Sequence, residues 1–127
     1  MPANNGEDIA LAIPDSLYAG TVLSSATVSV TSQKDACPAP NYEQQTGKHT
    51  EVINSIPFDV TTGTGVGAGN LYESSIYNTV HNGVCHSIVL LRHSCNLGPD
   101  CGEGHTKPYN KKAVNEALMS IVRTFAF

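Results

Sequence analysis

Four cysteines are the residues of this 127-residue sequence whose type and spacing point most directly to chemistry. Cys95 and Cys101 flank a Gly-Pro-Asp segment, which favours a tight turn that brings the two thiols together. A disulfide there closes a short loop and leaves Cys37 and Cys85 to pair by elimination. We therefore predict these two bridges, although an even cysteine count by itself permits more than one pairing.

The same region offers a metal site as the alternative. Two thiols and two imidazoles form a ligand set that tetrahedral zinc accepts: His93, Cys95, Cys101 and His105. Structural zinc sites usually bring their ligands in pairs about two to four residues apart, and the segment 96–100 separates the two cysteines more widely. The spacing therefore favours a disulfide over zinc, and no cofactor is expected. The Cys-x-x-Cys spacing of a cycling redox pair is also absent.

The histidines form no recognisable catalytic arrangement. Nucleophilic catalysis needs a base within hydrogen-bond reach of a nucleophile on a strained turn, and no such turn motif occurs. Asp100 and Glu103 lie in a predicted loop without a partner for acid–base chemistry. We expect no catalytic residue, and surface or structural roles for the five histidines, His49, His81, His86, His93 and His105.

The glycine-rich segment 61–69 contains Gly-x-Gly-x-x-Ala, which is part of a dinucleotide-binding pattern. That pattern works only where a helix begins directly after it and aims its N–H groups at a pyrophosphate. The residues from Asn70 onward have the alternation of a strand instead. We predict a flexible connector between strands.

Composition and charge limit the class of protein. Charged residues are 14% of the chain, with 7 basic against 11 acidic residues and a net charge of −4. The sequence has no basic run, so we expect no nucleic-acid partner. No apolar stretch is long enough to span a membrane. The length fits a polar leader over residues 1–8 and a single domain over residues 9–127.

Paired cysteines in a small chain indicate an oxidising compartment. We therefore predict an extracytoplasmic protein that is periplasmic, secreted or lipid-anchored. The first residues, Met-Pro-Ala-Asn-Asn-Gly, have neither the basic nor the apolar region of a signal peptide. We expect the sequence to be a mature form whose export segment has been removed. The chain has no N-glycosylation sequon, which fits a bacterial source.

The clearest structural signal is a hairpin. Two alternating segments between positions 70 and 94 are joined by Asn82-Gly83, the preferred pair for a two-residue type I′ turn. The turn fixes the register and places Glu73 opposite Arg92, a pair of opposite charges that stabilises the ladder. It also places His86 and His93 on opposite faces. Large apolar side chains occupy both faces, so we expect both to be covered.

The other elements complete an α+β domain. Strands are predicted over 9–13, 21–31 and 51–60, with Pro57 marking an edge or a break in the last of them. Residues 32–49 are predicted to form a polar loop pinned by Cys37. A helix should start near Asn110, a good N-cap, and end near Thr124, with an apolar stripe along one side. We predict an antiparallel sheet of about five strands with this C-terminal helix packed on one face.

Three short motifs carry a resemblance to a known class: Tyr77-x-Thr79-x-x-Asn82-Gly83-x-Cys85, Ser94-x-Asn96 and Ile121-Val122-x-Thr124-Phe125-x-Phe127. Over residues 18–127 the chain resembles small bacterial exported or lipoprotein domains that are PsbP/Mog1-like in general plan. The resemblance implies a structural disulfide between Cys37 and Cys85 and no active site. His86 and Tyr109-Asn110 depart from the pattern, and Cys95 with Cys101 look like an addition.

These observations favour a non-enzymatic exported module that binds an unknown protein or surface partner. We expect its contact surfaces to be the glycine-rich segment 61–69 and the Cys95–Cys101 loop, because loops of this kind carry function more often than the elements they join. The alternative is a zinc protein that uses His93, Cys95, Cys101 and His105.

Overall fold

The computed structural model describes residues 7–38 and 42–127, which form a six-stranded antiparallel sheet and one α-helix. The elements are β1 (Glu7–Ala12), β2 (Leu23–Lys34), β3 (Gln44–Ile53), β4 (Ile56–Gly67), β5 (Asn70–His81), β6 (Val84–Cys95) and α1 (Lys111–Val122). The strand order is β1-β2-β6-β5-β4-β3. The α+β class is confirmed, with six strands where about five were predicted. Residues 1–6 of the predicted polar leader lie outside the described residues.

The predicted hairpin is confirmed in type and register. β5 pairs with β6 so that Val80 faces Cys85 and Glu73 faces Arg92. Arg92, however, donates to the Asn115 side chain at 2.8 Å, and Tyr109 donates to the Glu73 carboxylate at 3.4 Å. The two charged side chains therefore form hydrogen bonds with α1 and with the segment before it rather than with each other.

The helix starts where its capping residue predicts. Asn110 accepts a hydrogen bond from the Ala113 backbone N–H at 3.0 Å, which satisfies one of the donors left unpaired at the start of a helix. Val114, Leu118 and Val122 form the buried stripe of α1. They pack against inward-facing residues of the sheet, including Phe58, Val60, Tyr77, Ile88 and Leu90. We call this side of the sheet the helix face and the opposite side the open face.

The sequence-based prediction fails between β2 and β4. The loop predicted over 32–49 is shorter, because β2 continues to Lys34 and β3 begins at Gln44; residues 39–41 of it lie outside the described residues. The strand predicted over 51–60 is two strands joined by Asn54 and Ser55, whose φ angles are +52° and +64°. This turn reverses the chain, so Val52 lies on the open face, 71% exposed, while Phe58 is buried.

Pro57 is compatible with an interior strand because of its position. It lies at the second residue of β4, opposite Val52 of β3. The pairing of β4 with β5 begins only at Asp59, so the missing proline N–H falls beyond that ladder. Among residues 7–38 and 42–127, no helix has the length and apolar character needed to cross a membrane.

Candidate functional site

The open face carries the most site-like feature of the described chain, a groove of ≈ 630 Å³. We call it the open-face groove. It lies between the centre of the sheet and the described residues of the connection from β2 to β3, of which Pro38, Tyr42 and Glu43 line it. The predicted disulfide between Cys37 and Cys85 anchors this connection to β6, and Cys85 is only 1% exposed. Among the described residues the covering of this face is thus partial, and it is tied to the sheet by a covalent bond.

Glycines of β4 make room for the residues that overhang the groove. The Tyr42 ring lies so close to Gly63 that a Cβ there would be 2.2 Å from Tyr42 Cγ. A Cβ on Gly65 would be 3.3 Å from Glu43 Oε1. Glu43 is further fixed because Oε1 accepts the Val66 backbone N–H at 3.0 Å. The glycines therefore allow two side chains to lie directly against the strand backbone.

The segment 61–69 is consequently not the flexible connector that was predicted. Residues up to Gly67 belong to β4, and only Ala68 and Gly69, with φ angles of +51° and +80°, form the turn into β5. The absence of a helix after these glycines agrees with the argument against a dinucleotide site. The contact surface proposed for this segment lies on the face of a strand.

The groove floor combines apolar side chains with hydroxyl groups. The apolar side chains are Ile76 of β5 and Val89 and Leu91 of β6. The hydroxyl groups belong to Thr31, Ser74 and Ser87, and the Ser87 hydroxyl donates to the Asn78 side-chain oxygen. Binding sites for small molecules usually have this composition, with a few placed polar groups among apolar ones.

A stacked aromatic pair stands at one end of the groove. The Tyr72 and His93 rings lie 4.5 Å apart between centroids and 10° from parallel. His93 Nε2 is 2.7 Å from Asn70 Oδ1, which holds the imidazole in place. Tyr72 remains 39% exposed and lines the groove. One face of the Tyr72 ring therefore packs on His93, and part of the remaining ring surface is accessible.

The predicted zinc ligands are not brought together as a metal site. Cys95 and Cys101 form a disulfide, so neither sulfur is available as a thiolate ligand. His93 stacks on Tyr72, and His105 is exposed in the loop after Gly102. In the part of the chain that the structure describes, no group of three or more histidine, cysteine or acidic side chains is placed to hold a metal ion.

The other histidines have structural surroundings. His81 stacks on Phe127 at 3.9 Å between centroids, and His86 contacts the same ring edge-on at 5.1 Å. His86 Nδ1 also lies 3.2 Å from the Ser32 hydroxyl. His86 is on the helix face and His93 on the open face, as the hairpin register predicted. His49 pairs with Glu51 at 3.1 Å.

The clear pKa shifts also lie on the helix face, away from the groove. Burial raises the pKa of Tyr77 to about 12, and the negative charge and hydrogen bonding of Glu51 add to the shift. Burial likewise raises the pKa of Tyr109, with a contribution from Glu73. Both shifts keep a phenol protonated, which suits packing under the helix rather than proton transfer.

Two further cavities have fewer features of a binding site than the open-face groove. One of ≈ 540 Å³ lies beside the Cys95–Cys101 disulfide and is lined largely by residues 18–24 of the segment before and into β2. The other, of ≈ 390 Å³, lies between Leu11 of β1 and the end of α1. Of these three cavities in the described part of the chain, the open-face groove is the one that joins a strand floor, a disulfide-anchored overhang and an exposed aromatic ring.

Searches for related proteins among family models, curated proteins and solved structures find no match. Function is therefore inferred from the residues of this chain. Sequence reasoning missed Tyr42, Glu43 and Tyr72 as site residues. One signal was present: glycine at 63, 65 and 67 leaves one face of a strand without side chains.

Proposed function

We propose that this chain is an extracytoplasmic, non-enzymatic binding domain that holds a small ligand in the open-face groove. The observation that carries the proposal is the groove itself, with its floor of apolar side chains and hydroxyl groups and the overhang anchored by Cys37–Cys85. Its volume falls within the range of about 300–1,000 Å³ that is usual for small-molecule sites.

The compartment is supported by the two disulfides. Structural disulfides persist in oxidising compartments and are rare in reducing ones. All four cysteines are paired, and Cys85 is buried, so both bridges belong to the folded architecture. Periplasmic, secreted and lipid-anchored locations fit this chemistry equally.

The non-enzymatic character is supported by the partners of the groove's polar side chains. The Ser87 hydroxyl donates a hydrogen bond to the side-chain oxygen of Asn78 rather than to an imidazole base. His93, the histidine at the end of the groove, is bonded to Asn70. A nucleophile activated by a base within hydrogen-bond reach is the usual sign of covalent catalysis, and these contacts do not form one.

The lineage that the sequence motifs imply, small bacterial exported or lipoprotein domains of PsbP/Mog1-like plan, is part of the same proposal. An antiparallel sheet with a C-terminal helix on one face is compatible with it. The genomic sequence upstream of residue 1 tests the compartment. We expect a signal peptide or a lipid-attachment cysteine there, and a cytosolic start without either would contradict the proposal.

A neutral fluorescent amphiphile tests the groove. Prodan should bind the oxidised protein saturably, with a blue-shifted emission, because the floor offers apolar surface next to hydroxyl groups. Val89→Lys places a charge on the floor and should weaken prodan binding at least about tenfold. An apolar ligand on this floor would bury the lysine ammonium without a partner, which costs free energy. Val80→Lys is the matched control on the same face, where Val80 is 64% exposed and outside the groove. Equal binding by both variants would contradict the proposal.

A further inference from the structure

We infer that the ligand of the open-face groove carries an organic cation, such as a substituted ammonium group, held between Tyr42, Tyr72 and Glu43. This inference depends on the proposed function, because it names the chemistry of the ligand for the same groove. All three side chains line the groove. They come from two distant parts of the sequence and line the groove beside the glycines on the open face of β4.

The orientation of Tyr72 is the first step. Tyr72 lies opposite His93 of β6 on one side and opposite Gly65 of β4 on the other. The rings of Tyr72 and His93 stack almost in parallel, so the second face of the Tyr72 ring is turned towards β4. Gly65 has no side chain to cover that face. The second face of the Tyr72 ring is therefore directed towards the space above Gly65, where the Glu43 side chain lies and the groove opens.

The Glu43 carboxylate lines the same part of the groove. Glu43 lies above Gly65, close to the position that a Cβ would occupy. Its Oε1 accepts the Val66 N–H, and within residues 7–38 and 42–127 its Oε2 has no hydrogen bond or ion pair. The carboxylate is thus held in place while one oxygen remains available to a ligand.

The charge of the groove lining favours a cation. Glu43 is the only formally charged side chain among the described residues that line the groove. Tyr42 lies over neighbouring Gly63 and supplies a second aromatic ring at the same end. Aromatic faces with a carboxylate attract cations, and a methylated ammonium loses little hydration on entering such a site. The apolar floor of Ile76, Val89 and Leu91 then accepts the uncharged body of the ligand.

A pair of isosteric probes tests the inference. Choline and 3,3-dimethylbutan-1-ol have the same shape and differ in the charge of the head group. Isothermal titration and two-dimensional NMR on the oxidised full chain should show choline binding about tenfold tighter, within the range expected for cation–π contacts. Equal affinity for the two probes, or no binding of choline, would overturn the inference. Prodan binding reports separately on the groove, so a failure of the cation assignment is distinguishable from a failure of the proposed function.

A charge-neutralising variant gives a second, independent test. Glu43→Gln keeps an oxygen that can accept the Val66 N–H but removes the negative charge, so it should lower choline affinity about fivefold or more. Glu116→Gln makes the same change in net charge on the exposed side of α1 and should leave choline affinity unchanged. Thermal unfolding of both variants verifies folding. Unchanged choline affinity in folded Glu43→Gln would overturn the inference.

Discussion

The side-chain amide of Asn54, in the turn between β3 and β4, donates a 2.6 Å hydrogen bond to the backbone carbonyl of Arg123 at the end of α1. The same nitrogen donates to the carbonyl of Phe125 at 2.9 Å. The Arg123 carbonyl, at the C-cap of α1, has no partner within the helix, so the first of these bonds satisfies a group that would otherwise depend on water. One side chain thus joins the edge hairpin of the sheet to the helix.

Asn54→Gly should therefore lower the free energy of unfolding by about 1–2 kcal/mol, because it removes both hydrogen bonds while glycine tolerates the positive φ. Asn82→Gly is the matched control, since Asn82 has the same φ of +52° in the β5–β6 turn. Urea unfolding measures both. Equal effects of the two substitutions would show that the turn backbone, not the bond to Arg123, determines stability.

The two disulfides should contribute unequally. Cys37 and Cys85 are 48 positions apart, whereas Cys95 and Cys101 are 6 apart. In the chain-entropy description, closing these loops is worth about 4 kcal/mol and about 2 kcal/mol respectively. Replacing each pair by alanines and measuring chemical unfolding gives the comparison. A larger loss from the short loop would contradict the role of Cys37–Cys85 as the main anchor.

Gly63 and Gly67 should respond differently to a methyl group. A Cβ on Gly63 overlaps the Tyr42 ring, whereas a Cβ on Gly67 meets nothing within 4 Å. We expect Gly63→Ala to cost about 1–3 kcal/mol and to weaken prodan binding because Tyr42 must leave its place. Gly67→Ala should be neutral or stabilising by about 0.5 kcal/mol. Similar prodan affinities of the two variants would show that the position of Tyr42 does not affect ligand binding.

Alkaline pH should destabilise the protein through Tyr77. Its pKa is raised to about 12 in the folded chain, against about 10 for an unfolded tyrosine. Between these values the unfolded chain has lost a proton that the folded chain retains, so the free energy of unfolding decreases as the pH rises. The contribution is fully present below pH ~10 and is lost as the pH passes through about 12.

Tyr77→Phe should flatten this alkaline decrease, leaving the smaller part that the raised pKa of Tyr109 supplies. Tyr72→Phe, on the open face, is the control and should keep the decrease. Denaturant unfolding at several pH values measures the slopes. An unchanged slope in Tyr77→Phe would assign the alkaline effect to other groups.

The parts of the fold that could be predicted are those determined by residues close together in the sequence. Asn82-Gly83 specifies both a turn and a register, and Asn110 specifies the start of α1. The turn at Asn54-Ser55 was missed because it lacks the glycine that usually marks a type I′ turn, although both residues adopt positive φ. Residues 44–49 of β3 were then assigned to a loop, and residues on both sides of the turn, 51–53 and 56–60, to one continuous strand.

The groove could not be predicted because its parts are distant in sequence. Tyr42 and Glu43 meet Gly63, Gly65 and Tyr72 only after three strands have paired in the correct register. Disulfide pairing was predictable from spacing, since a turn brings Cys95 to Cys101. The Cys37–Cys85 bridge holds an overhang above the open face. This role depends on the position of Cys85 within the sheet, which spacing does not give.

The central claim is that the open-face groove binds a ligand, and amide chemical-shift mapping with prodan tests it most directly. On the oxidised protein we expect the largest perturbations at Ile76, Val89 and Leu91 of the floor, saturating at one equivalent of bound prodan. Perturbations centred on the cavity beside Cys95–Cys101, or no saturable perturbation on the open face, would contradict the claim.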